Sequence, residues 1–433
     1  LVGDVTHGDA TGEFTLKEVL PPDAALARAY TGSYEISPGH VIDIGPMDEA
    51  GGLLVFLDHK TLREGPLYAL SSTTFASGPT IAIAYPFVIH VEFLRDDSGV
   101  ATGLRWKEGG KVVTARKIAP HRVEEVTIKN GDVLLQGTLM LPATRGPHPV
   151  VVFAHGSGDA TRNVAIWNPF FLRLGMAVLS MDKRGAGKST GDWHTASMDD
   201  IASDWLAGVA MLKQRADIDP RRIGVHGSSQ GGWTAPLMAA RSKDIAFVIV
   251  RAGSGVSVRD TMTHEIGWSA REAGLPESAA LEAEDAARTM FDFASRDASW
   301  ADVSTFVAAQ KGKPWASHVW PMGWSEQGWG KPWAARNNAY DPTVSLRKTR
   351  VPVLWFLGDL DHNVPADASE RALDAVRRDT KHPDFNIVRL PRTGHSFLAS
   401  DSGNNSELAK QSHMVAGYWD VMEQWLRARG FVQ

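Results

Sequence analysis

Residues 223–232 read Ile223-Gly224-Val225-His226-Gly227-Ser228-Ser229-Gln230-Gly231-Gly232, an apolar run that closes in G-x-S-x-G. The run predicts a buried strand and the stretch behind it predicts a helix. A turn joining the two so directly has no room for side chains two residues before and after its apex, a demand that Gly227 and Gly231 meet. The apex is then Ser229, its hydroxyl lifted clear of the sheet and facing the N-terminal N–H groups of the next helix. Ser228 is adjacent but lacks that glycine frame. A chain that builds this turn is committed to strands alternating with helices.

The surrounding sequence follows that commitment from Arg122 onwards. Val123–Ile128 and Leu134–Leu141 read as an antiparallel pair joined at Asn130-Gly131, a strong hairpin dipeptide. Apolar strands are then expected at Val150–Ala154, Ala177–Met181, Ile223–His226, Ala246–Val250, Val353–Leu357 and Asn386–Leu390. Their apolarity is continuous rather than alternating, which means that both faces are covered by helices. Asp199–Gln214 is one such helix, with Ile201, Trp205, Val209 and Leu212 on a shared face. The expected fold is an α/β sandwich on an eight-stranded, mostly parallel sheet.

Two regions depart from this alternation. Residues 1–120 are broken into short segments (Gly39–Ile44, Leu53–Leu57, Thr80–Ala84, Phe87–Phe93, Lys111–Ile118) by turn signals such as Asp96-Asp97-Ser98-Gly99 and Glu108-Gly109-Gly110. They are expected to form a small antiparallel β-barrel or sandwich, with one short helix near Pro22–Tyr30, ahead of a catalytic domain over 121–433. Residues 254–345 interrupt the second region with two helical patterns, Thr261–Ala273 and Ser278–Ser295, followed by a Trp-, Gly- and Pro-rich stretch. Disordered segments lack aromatics, and this one holds nearly half of the chain's 15 tryptophans, so a folded cap is expected. Trp324 and Trp329 are its candidate substrate-binding residues; the other reading gives the cap tryptophans to the cap's own small core.

Three further segments carry chemistry. Val150–Ala154 runs into His155-Gly156-Ser157-Gly158, placed to supply an oxyanion-hole amide from Ser157 or Gly156, with Gln230 after the nucleophile supplying the other. His155 is expected to tie that loop in place. Val353–Leu357 runs into Gly358-Asp359-Leu360-Asp361-His362-Asn363-Val364-Pro365, where two aspartates compete for the role of acid. Asp361 is chosen on its spacing to Val364-Pro365, and Asp359 is expected to stabilise the turn. Asn386–Leu390 leads to Thr393-Gly394-His395-Ser396-Phe397, which offers His395 as general base. Met181-Asp182-Lys183-Arg184-Gly185-Ala186-Gly187-Lys188-Ser189 ends like a phosphate-binding loop, but Asp182 stands where the first glycine of that motif is needed. Asp182 and Arg184 are expected to brace neighbouring loops.

The order Ser229…Asp361…His395, with the Asp-x-Arg-Gly-x-Gly-x-Ser loop at 182–189, resembles bacterial α/β-hydrolases of the dienelactone-hydrolase and prolyl-oligopeptidase-like branch, which includes many carboxylesterases. The N-terminal pattern from Tyr30-Thr31-Gly32-Ser33-Tyr34 to Gly109-Gly110-Lys111 resembles the lipocalin-like β-domain appended to some bacterial serine hydrolases. The resemblance implies a serine hydrolase forming an acyl-enzyme on Ser229, with a small-molecule ester as substrate. The alternative is a prolyl-oligopeptidase-like peptidase or amidase, although about 120 residues cannot build the β-propeller such enzymes usually carry. A non-catalytic binding protein on the same fold is the remote alternative, since every catalytic residue is present.

Composition narrows the remaining classes. A net charge of −5 and the absence of a long Lys/Arg run exclude a nucleic-acid partner. No apolar stretch approaches the roughly 20 residues of a membrane span. With no cysteine, the chain has no disulfide, thiolate metal site or Cys nucleophile. Metal-ligand spacing is also missing, and no cofactor is expected. The first residue is Leu, which reads as a processed or trimmed start, so periplasmic or secreted residence is expected over cytoplasmic. The N-terminal domain could bind a partner, shield the site or mediate homodimerisation, and the sequence leaves these open.

Overall fold

The computed structural model of the chain describes residues 2–7, 10–15, 18–48, 50–316 and 332–433. A two-stranded hairpin of β1 (Val2–His7) and β2 (Ala10–Thr15) comes first, followed by the short helix α1 (Ala24–Tyr30), which Asp23 caps through its carboxylate. Eight antiparallel strands then close into a barrel: β3 (Gly32–Ser37), β4 (His40–Pro46), β5 (Leu54–Asp58), β6 (Glu64–Ala69), β7 (Thr74–Ser77), β8 (Ile89–Arg95), β9 (Ala101–Glu108) and β10 (Lys111–Ile118). Closure comes from β10 pairing with β3, Arg116 opposite Glu35 and Ile118 opposite Ser33. Alternation does the inside–outside sorting: Ile89, Val91 and Phe93 point inward while His90 faces out. Aromatic side chains fill the interior, Tyr30 stacking on Phe93 with ring centres 3.8 Å apart and Phe56 meeting Trp106 edge-on at 4.9 Å.

The segment Thr80–Ala84, expected as a strand, is not one. Thr80 Oγ1 takes the amide of Ile83, which folds the segment into a turn, and Ile81 N donates to Gln411 O far along the chain. Ile81 packs against residues of the second region while Ile83 is exposed, and β6 and β7 are the strands that complete the wall.

All eight strands expected of the second region are present: β11 (His121–Asn130), β12 (Val133–Pro142), β13 (His148–Ala154), β14 (Ala177–Met181), β15 (Ile218–Ser228), β16 (Phe247–Arg251), β17 (Val353–Gly358) and β18 (Phe385–Leu390). Their order in the sheet is β11-β12-β14-β13-β15-β16-β17-β18, antiparallel as far as β14 and parallel beyond it. This is the α/β-hydrolase fold with a barrel placed before it. Helices α2 (Trp167–Arg173), α3 (Met198–Lys213) and α4 (Gly231–Arg241) lie in the first crossovers. Between β16 and β17 the chain inserts α5 (Val258–Glu272), α6 (Glu277–Ser295), α7 (Trp300–Gln310), α8 (Pro332–Asn337) and α9 (Pro342–Leu346). Helices α10 (Ala366–Asp379) and α11 (Tyr418–Ala428) complete the layers.

Trp205, Val209 and Leu212 of α3, Met238 of α4 and Leu373 of α10 form one core on one side of the sheet. Phe170 and Phe171 of α2 join Tyr418, Trp419 and Met422 of α11 in a second core on the other. A third, in the insertion, is built from alanines (Ala279, Ala280, Ala283, Ala286, Ala287) that let α6 approach Ile266 and Ala270 of α5, under a fully buried Trp315. Trp324 and Trp329 lie outside the described residues. Among the described residues, no helix is long and apolar enough to cross a membrane.

The barrel is fastened to the loop and helix that follow β13 by hydrogen bonds and one buried carboxylate. Ala165 N donates to Pro46 O at 2.8 Å, and Asp48 accepts from Thr161 N and the Asn163 side chain at 2.7 and 2.9 Å. Asp43 is fully buried; burial alone would raise its carboxyl, but His59 at 2.6 Å and Arg173 of α2 at 3.6 Å hold it below the ordinary value. The segment 411–414 lies along β6, with Glu64 N donating to Ser412 O at 2.8 Å.

Candidate active site

The turn from β15 into α4 sets the geometry. Ser229 has φ of +52°, a left-handed value uncommon for an L-residue. Crowding explains the glycines around it: a Cβ on Gly231 would overlap the carbonyl of Ala154, and one on Gly227 the carbonyl of Gly231. Ser229 N donates to Arg251 O at 2.9 Å, so the turn is anchored to the end of β16. Helix α4 starts directly behind it, with Gln230 at its N-cap.

The three residues read from the sequence meet here. His395 Nε2 lies 3.0 Å from Ser229 Oγ, and His395 Nδ1 lies 2.8 and 3.0 Å from the two Asp361 carboxylate oxygens. Asp361 is buried, and its Oδ1 also accepts the amides of Asn363 and Val364, each at 3.0 Å. That leaves the carboxylate one orientation, aimed at the imidazole. Asp359 does something else: its Oδ1 accepts Thr393 N at 3.1 Å, fastening the loop that carries His395 rather than its own turn.

The loop after β13 passes beside the serine; a Cβ on Gly156 would stand 3.5 Å from Ser229 Cβ. Gly156 is thus brought to the flank of Ser229, beside the turn that leads through Gln230 into α4. His155 is buried and donates Nε2–H to Met181 O at 2.7 Å. Burial pushes it down to about 4, so it is neutral and holds the loop. Asp182 binds Arg162 through both oxygens, at 3.0 and 2.8 Å, and takes Lys188 N at 2.9 Å; Arg184 binds Asp204 at 2.6 and 2.8 Å.

Three side chains here have no signature in the sequence. Arg251 donates to Ser228 Oγ at 2.8 Å and to the carbonyls of Ser396 and His395 at 2.5 and 3.4 Å, between the rings of Trp167 and Phe397. It joins the neighbour of Ser229 to the backbone at His395 and Ser396. Lys183 sits between the two residues the motif reading picked out and reaches under the Gly156–Gly158 loop. Glu265 of α5 hangs over the site, accepting from Asn363 Nδ2 at 2.8 Å. Desolvation by the surrounding protein raises its carboxyl, Asp361 adding to the rise while His395 opposes it. Among the described residues, no cluster of three or more His, Asp or Glu side chains is arranged to hold a metal ion.

Comparison with known proteins places this geometry in context. Residues 130–396, more than half of the chain, match the family described as X-Pro dipeptidyl-peptidase (S15 family). The quorum-quenching protein AidA of Acinetobacter baumannii is 32% identical over 134 residues, 30% of this chain and 43% of that protein, so the match spans less than half of AidA. An uncharacterized 31.7 kDa protein of Escherichia coli is 25% identical over 272 residues, 61% of this chain and 88% of its own. Among solved structures, an esterase of Pyrococcus furiosus superposes with a TM-score of 0.47 at 17% identity, covering 71% of this chain and 91% of that one.

Proposed function

The chain belongs to the X-Pro dipeptidyl-peptidase (S15) family of hydrolases, and on that premise we propose that it forms its acyl-enzyme on Ser229 and that its substrates are carboxylic esters. The observation that carries this reading is the continuous relay from Ser229 Oγ to His395 Nε2 at 3.0 Å and from His395 Nδ1 to Asp361 at 2.8 Å.

A serine hydroxyl is a weak nucleophile at neutral pH, so attack needs a base within hydrogen-bond reach. His395 takes the Ser229 proton as the Oγ–carbonyl bond forms, and Asp361 holds the tautomer whose Nε2 is free to accept. The negative charge that gathers on the carbonyl oxygen falls between the Gln230 amide and that of Ser157 or Gly156. His395 then returns the proton to the leaving alcohol, later takes one from the water that attacks the acyl-enzyme, and gives it to Ser229 Oγ as the acyl bond breaks and the acid leaves.

The ester reading asks only for these groups. A dipeptidyl-peptidase must also hold a peptide's free ammonium, and one observation favours that second reading: the Glu265 carboxylate close enough to His395 for their charges to interact. The matched segment contains none of the barrel, so the lack of a propeller does not count against a peptidase of this family. The test is one panel of p-nitrophenyl esters of graded acyl length and X-Pro p-nitroanilides. The ester reading expects the higher kcat/KM on a short ester; a higher value on an X-Pro anilide would replace it with the peptidase reading. Ser229→Ala is expected to cut turnover of either class on the order of 10⁴-fold or more.

A further inference from the structure

Lys183 is 1% exposed. Its Nζ donates to Gly156 O at 3.1 Å, to Gly158 O at 3.4 Å and to the side-chain oxygen of Gln230, and it lies 4.6 Å from the centre of the Trp193 ring. Three acceptors engage all three N–H bonds of an ammonium, whereas a neutral amine has two, so this geometry belongs to the charged form. A buried cation whose bonds go to carbonyl and amide oxygens rather than to a carboxylate is a poor stabiliser of a fold. What it touches gives it a use: both segments that carry the proposed oxyanion amides.

The carbonyl of Gly156 and the N–H of Ser157 belong to one peptide group. A cation on that oxygen draws electron density through the peptide and strengthens the N–H as a donor. The same cation holds Gln230, whose own amide opens α4. We propose that Lys183 is a positioning residue of the oxyanion site, its ammonium locking the Gly156–Gly158 loop against Gln230 and polarising the Ser157 amide toward the oxygen that becomes negative in the transition state. The inference rests on Ser229 being the nucleophile.

Burial pushes Lys183 down to about 7, with Asp159 opposing the fall. Among the other groups around it, His155 is kept uncharged by burial, Asp182 is paired with Arg162 and Arg184 with Asp204, His194 Nδ1 lies 2.8 Å from Asp192, and Asp159, the carboxylate that acts on Lys183, also accepts Trp193 Nε1–H at 2.6 Å. Loss of the Lys183 proton then removes one of the three bonds and the charge together, and kcat is expected to decline above neutral pH.

The test compares wild type, Lys183→Met, Lys183→Gln and Ser229→Ala on p-nitrophenyl acetate. A fluorophosphonate titration counts folded sites, and a phenylboronate serves as the tetrahedral mimic. Expected in both Lys183 variants are a kcat per site lower by about 10²-fold, KM within about threefold, boronate affinity weakened by a similar factor and no alkaline decline in kcat. Lys183→Gln keeps a donor without the charge, so it remains informative where the Met variant folds poorly. A kcat per site within about threefold of wild type in a variant that folds, or a loss carried by KM or melting temperature alone, overturns the proposal. Full activity in Ser229→Ala overturns the nucleophile reading, and this inference falls with it.

Discussion

Asp359 and Asp361 are the same side chain two residues apart, and only their backbone surroundings separate them. Asp361 is turned inward by the Asn363 and Val364 amides and meets His395; Asp359 is turned toward Thr393 N. Asp361→Asn replaces a charge that favours the imidazolium with an amide that can present N–H to the ring, and kcat is expected to fall by about 10³- to 10⁴-fold. Asp359→Asn keeps an oxygen able to accept from Thr393 N, and kcat is expected within about tenfold of wild type. Steady-state kinetics of the pair checks this; the reverse order would move the acid to Asp359. Ser229, His395 and Asp361 were legible because each sits in a loop whose local pattern follows from the turn it makes. Lys183 and Arg251 were not. Their roles depend on which strand ends lie side by side, and a lone Lys or Arg after an apolar strand reads the same whether it faces solvent or a catalytic loop. Arg251→Met removes the bonds to Ser228 Oγ and to the His395–Ser396 backbone. Its kcat is expected to drop about tenfold or more, with acyl-enzyme formation slowed in a stopped-flow burst experiment; an unchanged burst rate would make Arg251 purely structural.

At the scale of elements, legibility followed burial. Strands covered on both faces, such as β13, β14 and β17, announce themselves as apolar runs, and all eight sheet strands appear where expected. Barrel strands are harder, because a short half-buried strand and an apolar loop packed on a neighbour share one composition. Thr80–Ala84 is the second kind, held by its own turn and by Gln411, while β7 is only four residues long and polar at its start. The junction of β13, the serine turn and α4 is where elements approach most closely. Gly231→Ala places a methyl group against the Ala154 carbonyl, and the atom in the way is backbone rather than a side chain that can swing aside. The variant is expected to lose roughly 2–4 kcal/mol of stability. Its kcat should fall as well, because relief requires the Ser229 turn to move. Thermal melting and kinetics on one preparation check both, and a variant as stable and active as wild type would show that the turn is looser than this packing implies.

Across the whole molecule, one barrel side chain lies against Arg251, beside the Ser229 turn. Glu64 of β6 is buried facing Arg251, and its Oε2 lacks a hydrogen-bond partner among the described residues. Burial pushes the carboxyl up to about 7, although Arg251 pulls against that rise. Folded Glu64 therefore holds its proton more tightly than it does in the unfolded chain, where 4.5 is the ordinary value. The stability gained this way is complete below that value and lost as pH rises through about 7, where the folded protein must keep a buried carboxylate. Glu64→Gln removes the ionisation and keeps the shape. Its melting temperature is expected to match wild type near pH 4.5 and to exceed it at pH 8, with the gain limited to about 3 kcal/mol by the size of the displacement. Activity at pH 8 should stay within about threefold, because Arg251 keeps its bonds to Ser228 and to the His395 loop. A lower melting temperature at pH 8 would mean that ionised Glu64 is worth more to Arg251 than its burial costs. The barrel would then hold the catalytic loop electrostatically as well as by packing, and kcat of the same variant at that pH should fall together with its stability.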